Sequence, residues 1–422
     1  MPMAGAPASS QSEDMPPEDM LTGSEQPLQP PVDASSLNTL PEEDWGPDPD
    51  CRAASVAVGG FHVCAVSNGG RVYCWGGNGY RQLGVDSIEL DCESQPGQPQ
   101  VPCPYTRQPT HVPSLANVRE VALGLVHTCA LRSDGMVYCW GSNASGTLGV
   151  GGPGRCSVGV DVIATDGTAC LQTPVSPLDD AIALGAWGQT CAVLSTGEVH
   201  CWAEGGMHGW ESLVDIEYID AGCALDGARN VHCWGDNLHG MRGSRVGEVL
   251  RCAGTPDIGC EATAVSVPPS MAMDVGYAHA CIVSESGELW CWGSNDAGQL
   301  GLDPSGPELC GGFRPCSPMP VRVSGLPKVR AVAASGRGTC AIDEGGEVWC
   351  VDALAGAPRR LPMSSAAVRI EAGYETFCAV LEDGGISCWG DDKQGKLGPL
   401  SSYDDTGPEH DGGPYRVSLC DE

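Results

Sequence analysis

Apolar residues in this chain fall into short runs that alternate with polar positions or stop at glycine, and from Cys51 onward the same set of runs keeps returning. Residues 121–149 and 273–301 carry the clearest copies. Each copy reads as an alternating strand, a glycine, a second strand, a tight turn, a third strand and a Gly/Asn-rich loop. A Pro-x-x-Val segment, as at residues 109–112 and 320–323, leads into the next copy. Period-two alternation bounded by glycine turns predicts strands. Units that return this regularly bury their faces against one another.

The cysteines count the units. Seven pairs are each separated by ten positions: Cys64 with Cys74, Cys129 with Cys139, Cys191 with Cys201, Cys223 with Cys233, Cys281 with Cys291, Cys340 with Cys350, and Cys378 with Cys388. Each has a glycine-containing turn near its midpoint, at Gly70, Gly135, Gly197, Gly227, Gly287, Gly346 and Gly384. In a hairpin centred there, residues i and i+10 face each other at roughly 4.5–5.5 Å between Cα atoms, within disulfide reach. Four further pairs sit inside insertions between a third strand and the next Pro-x-x-Val: Cys92 with Cys103, Cys156 with Cys170, Cys252 with Cys260, and Cys310 with Cys316. Each would staple a long loop.

Cys51 and Cys420 remain, at opposite ends of the repeated part. The tail from Pro414 to Cys420 resembles the lead-in segment of a unit, and residues 51–59 resemble its continuation. Joined, they are expected to complete a seventh blade from both termini, with a Cys51–Cys420 bond across the seam.

The string Gly124-x-x-His127-Thr128-Cys129-Ala130-Leu131, followed by Asp134-Gly135-x-Val137-Tyr138-Cys139-Trp140-Gly141-Ser142-Asn143-x-x-Gly146-x-Leu148-Gly149, resembles the repeat of the regulator of chromosome condensation family. The resemblance implies an all-β, seven-bladed β-propeller over residues 51–422. The family's known roles include guanine-nucleotide exchange, ultraviolet sensing in plants and secreted inhibition of β-lactamases, so the fold leaves the function open. Unit 3 departs from the pattern at Cys201-Trp202-Ala203, unit 4 is shortened before Cys223, and unit 6 lacks the terminal Leu-Gly. Shorter loops are expected in units 3, 4 and 6.

Charge narrows the partners. The net charge is −32 and only three lysines occur, Lys328, Lys393 and Lys396. Nucleic acid needs a basic stripe to displace counterions, and anionic membranes repel such a surface. No run of 18 apolar residues is present, so no transmembrane segment is expected. Twenty-four cysteines point to an oxidising, secreted or surface location. Residues 1–50, rich in Pro, Ser, Glu and Asp, cannot bury enough surface to offset chain entropy and read as a disordered acidic leader. The leader resembles the spacer after the lipid-bearing cysteine of bacterial lipoproteins. A lipid anchor would then lie upstream of residue 1.

No catalytic chemistry is expected. Residues 390–397 fall one residue short of a phosphate-binding loop, since Leu397 stands where Ser or Thr must hold magnesium. His62, His127 and His279 share one repeat position and read as packing and hydrogen-bonding elements. His200 and His232 precede cysteines already paired across hairpins, which argues against zinc. Trp75, Trp140, Trp202, Trp234, Trp292 and Trp389 recur with the blades and read as inter-blade packing. Asp404, Asp405, Glu409 and Asp411 do not follow calcium-loop spacing. Asn143 of the formal sequon Asn143-Ala144-Ser145 is also the repeat's turn asparagine. No cofactor or metal is expected.

Tyr80, Trp187, Trp210 and Tyr403 lie off the repeated positions and are the candidate binding residues. The four insertions, at about 86–107, 150–173, 243–266 and 302–318, leave equivalent points and so are expected on one face, together with the acidic residues 399–413. The sequence therefore points to a monomeric, non-enzymatic protein-binding scaffold. An extracellular enzyme inhibitor is the alternative, and an exchange factor a more distant one.

Overall fold

The second strand of a unit, such as His62–Ser67, is buried along its whole length, because each blade is sandwiched between two others and both sheet faces are core. That is why these strands read as continuous apolar runs. The computed structural model describes residues 51–420 except 86–104, 114, 150–168, 176–177, 204–205, 211–212, 236, 238, 245–261, 304–308, 311–313, 352–356, 393 and 400–413.

Among the described residues there are seven antiparallel sheets. Blade 1 is Ala53–Val58, His62–Ser67, Val72–Gly77 and Tyr105–His111; blade 2 is Val118–Leu123, His127–Arg132, Val137–Ser142 and Ala169–Pro174. Blade 3 is Ala181–Ala186, Thr190–Leu194, Val199–Ala203 and Gly206–Gly209; blade 4 is Ile216–Asp220, Cys223–Asp226, Val231–Cys233 and Thr263–Ala264. Blade 5 has Ser270–Val275, His279–Ser284, Leu289–Ser294 and Arg314–Arg322, with the short Leu309–Cys310 added at its edge. Blade 6 is Val329–Ala334, Thr339–Asp343, Val348–Val351 and Arg359–Leu361; blade 7 is Ala367–Ala372, Thr376–Leu381, Ile386–Gly390 and Tyr415–Val417. The first strand of each blade touches the first strand of the next, and that of blade 7 touches that of blade 1. The first strands therefore line the axis of a closed ring.

The core is divided in the same way. Seven apolar clusters each draw on two adjacent blades, as when Cys64, Val66 and Val72 of blade 1 pack on Val121, Leu123 and Trp140 of blade 2. Blades 7 and 1 share such a layer through Cys378, Ile386 and Val417 with Val56, Val63 and Trp75.

The closure differs from the sequence expectation. No blade is shared between the termini: Ala53–Val58 is the inner strand of blade 1, whereas Tyr415–Val417 is the outer strand of blade 7. The tail pairs only with Ile386–Gly390, and its likeness to a lead-in segment reflects the outer-strand role that every such segment plays. The joint is nonetheless equivalent to the other six. At each boundary the amide opening the inner strand donates to the carbonyl of the preceding hairpin turn. Val118 to Gly70, Val329 to Gly287 and, across the seam, Ala53 to Gly384 are examples. Cys51–Cys420 spans that seam with Cα atoms 5.5 Å apart.

All seven hairpin cysteine pairs are in register and bonded, from Cys64 with Cys74 in blade 1 to Cys281 with Cys291, Cys340 with Cys350, and Cys378 with Cys388 in blades 5 to 7. Their Cα atoms lie 4.0–4.1 Å apart. This is closer than the spacing expected from sequence. In blade 1 the Ser67 amide donates to the Arg71 carbonyl, so by alternation Cys64 and Cys74 fall on a non-hydrogen-bonded pair, the type whose side chains approach most closely. The turn residue six positions past the first cysteine has φ near +80° in six blades. In blade 4 that position is Arg229, at φ +68°, and Gly227 sits two residues too early. A non-glycine residue pays about 1–2 kcal/mol for that conformation. Arg229→Gly is expected to raise the unfolding free energy by about 0.5–1 kcal/mol in urea titration, net of glycine's chain entropy.

A repeated clamp joins neighbouring blades. Trp140 Nε1 and Thr128 Oγ1 of blade 2 both donate to the Gln82 carbonyl of blade 1, at 2.8 and 2.7 Å. Because the Thr128 hydroxyl spends its proton there, it accepts from His62 Nε2 at 2.7 Å, which fixes the histidine tautomer. His127, Thr190, Trp202 and the Thr147 carbonyl repeat the arrangement between blades 2 and 3. Trp75 donates to the Lys396 carbonyl across the seam. The asparagine of the Trp-Gly-x-Asn string shapes the accepting loop: Asn78, Asn143 and Asn295 each accept from the leucine amide five residues on. Thr128→Val should strand the His62 donor and cost about 2–3 kcal/mol. Denaturant unfolding measures it, and a loss under about 0.5 kcal/mol would show the relay to be dispensable.

In blades 3 and 6 the third and outer strands are linked by residues 204–205 and 352–358 alone, which do not carry the asparagine-to-leucine string of the accepting loops. The tryptophans that should reach those loops find other neighbours. Among the described residues no acceptor reaches the buried Trp234 Nε1, and its ring lies 5.4 Å from Trp210. Trp389 stacks on Phe377 at 5.7 Å.

Candidate functional site

Strands alternate in direction within a blade, so two kinds of loop share one face: those joining inner to second strands and those leaving the third strands. The third-strand ends from which the four insertions leave and the Gly-x-x-His loops are therefore on the same side, with the hairpin turns on the other. Tyr80, on a third-strand loop of this face, is 40% exposed. Trp187, on the inner-to-second loop of blade 3, is half-buried and meets Tyr277 of blade 5 edge-on at 6.2 Å. Tyr277 in turn meets Tyr374 of blade 7 at 5.3 Å. Sequence reasoning does not single out Tyr277 or Tyr374, since each occupies a repeat position that in blades 1 and 2 holds Gly60 and Leu125.

Trp210 is a correction. It is buried, with 9% of its surface left, in the apolar layer between blades 3 and 4. There it fills space where other blades bring a Leu-Gly loop, and it is not a surface residue. Tyr403 lies outside the described residues. So do three of the insertion pairings expected from sequence: Cys92 with Cys103, Cys156 with Cys170, and Cys252 with Cys260 each have at least one member there. The fourth, Cys310 with Cys316, is bonded beside the outer strand of blade 5.

Residues 390–397 form the repeat's own turn. Lys396 is buried, with Nζ 3.6 Å from Asp391 and 3.3 Å from the Gly60 carbonyl. Leu397 donates to Asp392, as its counterparts do to asparagine. His232 hydrogen-bonds Asp226 at 2.9 Å, while Cys201 and Cys233 are in disulfides. Asn143 is buried.

What the sequence missed lies on the axis. The inner-strand residue opposite the first hairpin cysteine is Ala57, Ala122, Gly185 or Ala333 in four blades, but Asp220, Asp274 and Glu371 in blades 4, 5 and 7. A carboxylate where other copies carry alanine or glycine was the available signal. Glu120 of blade 2 faces the same space. Asp220 accepts from the Val275 amide of blade 5 at 2.7 Å and Asp274 from the Ala334 amide of blade 6 at 2.5 Å. Glu120 accepts from the Leu184 amide of blade 3. Inner-strand edges are thus tied across blades by carboxylates.

Enclosure raises the proton affinity of all four. Burial lifts Glu120 to about 7, and burial with Asp220 opposite lifts Glu371 to about 8. Asp274 is held well above the ordinary carboxylate range by burial, then by Asp220 and Glu371. Asp220 is raised by burial, an effect that its contact with Asp274 partly offsets. Tyr218 retains 37% of its surface, yet that surface opens into the enclosed axis. Burial and the four carboxylates raise its hydroxyl as well.

The regulator of chromosome condensation (RCC1) repeat matches residues 53–82, 118–147, 272–299 and 367–396, and a second form of the repeat matches 69–131 and 286–342. The chain carries regulator of chromosome condensation repeats. In this repeat propeller the matches fall on blades 1, 2, 5, 6 and 7. The RCC1 domain-containing protein RUG3, mitochondrial, of Arabidopsis thaliana is 26% identical over 280 residues, 60% of this chain and 56% of that protein. The ultraviolet-B receptor UVR8 of the same plant is 26% identical over 279 residues, again 60% and 56%. The chain thus spans about half the length of these relatives. Prp20p of Saccharomyces cerevisiae shares the fold with a TM-score of 0.58 at 19% identity, over 76% of this chain and 80% of that one.

Proposed function

We infer that this repeat propeller is a non-enzymatic, protein-binding scaffold that works in an oxidising, extracytoplasmic setting through its loop-bearing face. The observation that carries the reading is where the exposed aromatic side chains lie. Exposed Phe61, Tyr80, Leu125, Tyr277 and Tyr374 gather on the face from which the insertions also leave, and aromatic anchors dominate protein recognition. A rigid ring with varied loops on one side is how propellers present binding surfaces. Prp20p, which shares the fold, has binding properties to Gsp1p and histones. The disulfides favour the extracytoplasmic setting over a reducing one.

The test captures a partner on the oxidised protein by cross-linking from an extracytoplasmic fraction and then measures its affinity for variants. Tyr80→Ala with Tyr277→Ala, or replacement of the insertions by short glycine linkers, is expected to weaken binding at least about tenfold. Glu344→Gln and Glu382→Gln, on the hairpin-turn face, should leave it unchanged. The opposite pattern would sink the reading. Intact mass after alkylation tests the setting: no label before reduction is expected, and many free thiols would count against an oxidising compartment.

A further inference from the structure

We propose that the axial mouth on the loop face receives a single cationic side chain, a Lys or Arg carried on a projecting loop or chain end of a basic partner protein. This deepens the scaffold reading and rests on it. Two independent features of the structure meet at this point.

One is the aromatic arc. Trp187, Tyr277 and Tyr374 come from blades 3, 5 and 7, which are not neighbours, yet their rings touch in sequence at 6.2 and 5.3 Å. They can do so because the blades between them offer Gly222 and Gly336 at the corresponding loop. A side chain at Gly336 would run into the Tyr374 backbone. Tyr277 and Tyr374 keep 47% and 40% of their surface open. Both contacts are edge-to-face, and the surface these rings leave open offers a cation the electron-rich side of an aromatic.

The other is the cluster of acids beneath. Asp274 and Glu371 stand three residues before Tyr277 and Tyr374 on the same inner strands, and they interact with Asp220 and Glu120 across the axis. Three of these carboxylates accept backbone amides from the next blade. Glu371 occupies the position equivalent to Asp274, but among the described residues no hydrogen bond reaches it. Arg369 and Arg119 offset part of the field from farther along the inner strands.

An aromatic arc above an acid with no hydrogen-bond partner among the described residues suits an organic cation. The rings attract it by their quadrupole, and Glu371, which keeps its proton to about pH 8, gives that proton up to pair with the incoming charge. A metal ion fits less well, since among the described residues no three His, Cys, Asp or Glu side chains are placed to ligate one. The net charge of −32 would steer a basic partner toward the face and exclude an acidic one.

The experiment titrates the full oxidised chain, by calorimetry, with a short Gly/Ser peptide bearing one central lysine and with the same peptide acetylated on that lysine. The lysine peptide is expected to bind at least about tenfold more tightly. Tyr374→Ala should weaken it about three- to tenfold, and Glu371→Gln about tenfold. Glu344→Gln on the opposite face should leave it unchanged. Should Glu371→Gln lower the melting temperature, the Tyr374→Ala and acetyl-lysine arms decide. Equal binding of the two peptides, or equal weakening by Glu344→Gln, overturns the proposal. If a captured partner binds Tyr374→Ala and Glu371→Gln at full affinity yet loses the loop-deleted protein, this inference fails while the scaffold reading stands. Indifference to both sets of changes overturns both.

Discussion

Reduction of the native protein is expected to unfold it at 25 °C, visible as loss of the far-ultraviolet β signal and a red shift of tryptophan fluorescence. Each hairpin disulfide closes a sequence separation of 10. Chain entropy assigns such a loop about 2.7 kcal/mol and the 369-residue seam loop about 6 kcal/mol. The eight together reach about 25 kcal/mol as an upper bound. Half of that still matches or exceeds the roughly 5–15 kcal/mol by which domains are stable. Blades of short strands supply no compensating surplus, because at two of the seven joints the linker does not carry the string of the loop that accepts the tryptophan donor.

The seam alone is a milder case. Cys51→Ser with Cys420→Ser leaves the Ala53–Gly384 backbone bond and the Trp75–Lys396 bond in place, so the ring should persist. Its melting point should fall by about 5–10 °C, more than for loss of any single hairpin bond. A reduced protein that still melts cooperatively near the native temperature would show that the apolar layers between blades suffice on their own.

Stability should also depend on pH through two opposed sets of buried groups. Burial holds His62 at about 3 and His127 and His279 at about 4, against an ordinary 6.5. Between those values the unfolded chain binds protons that the folded one refuses. The contribution of these histidines is therefore whole above pH 6.5 and is lost as the pH falls to 4, by about 3 kcal/mol each. The axial carboxylates act in the opposite sense. Glu120 and Glu371 lie near 7 and 8 when folded, against an ordinary 4.5. The folded ring thus keeps protons that the unfolded chain has released. Stability is whole below about pH 4.5 on their account and declines as the pH rises through 8. Asp220 and Asp274 pull the same way. Denaturant midpoints from pH 4 to 9 measure both limbs. His127→Gln should flatten the acid limb and Glu371→Gln the alkaline one. A midpoint constant from pH 4 to 8 would rule out the enclosure inferred for both sets.

Much of this is legible in the chain. Cys129 and Cys139 with Gly135 between them specify a hairpin, its register and its cross-link, because turn chemistry and strand spacing are local. The recurring His62 and Trp140 read as packing elements, although Thr128 and the Gln82 carbonyl, which tie them together, cannot be read. Trp210 misleads because standing off the repeat does not distinguish an exposed side chain from one filling a gap left by a missing loop. Gly227 reads as the blade 4 turn because glycine is the usual occupant, whereas the hairpin geometry puts Arg229 there.

The number of blades, the strand pairing within each and the cysteine partners of every hairpin follow from the chain alone. They rest on periodicity and on contacts about ten residues apart. How the ring closes, with each terminus in its own blade, was settled only by folding in three dimensions. So was the meeting of Trp187, Tyr277 and Tyr374, and the gathering of Glu120, Asp220, Asp274 and Glu371 around one axis. Within each of those two groups the members are 54 to 251 residues apart in sequence. Their proximity comes from the curvature of seven stacked sheets, which no local pattern encodes, and their shifted proton affinities arise only when the ring encloses them together.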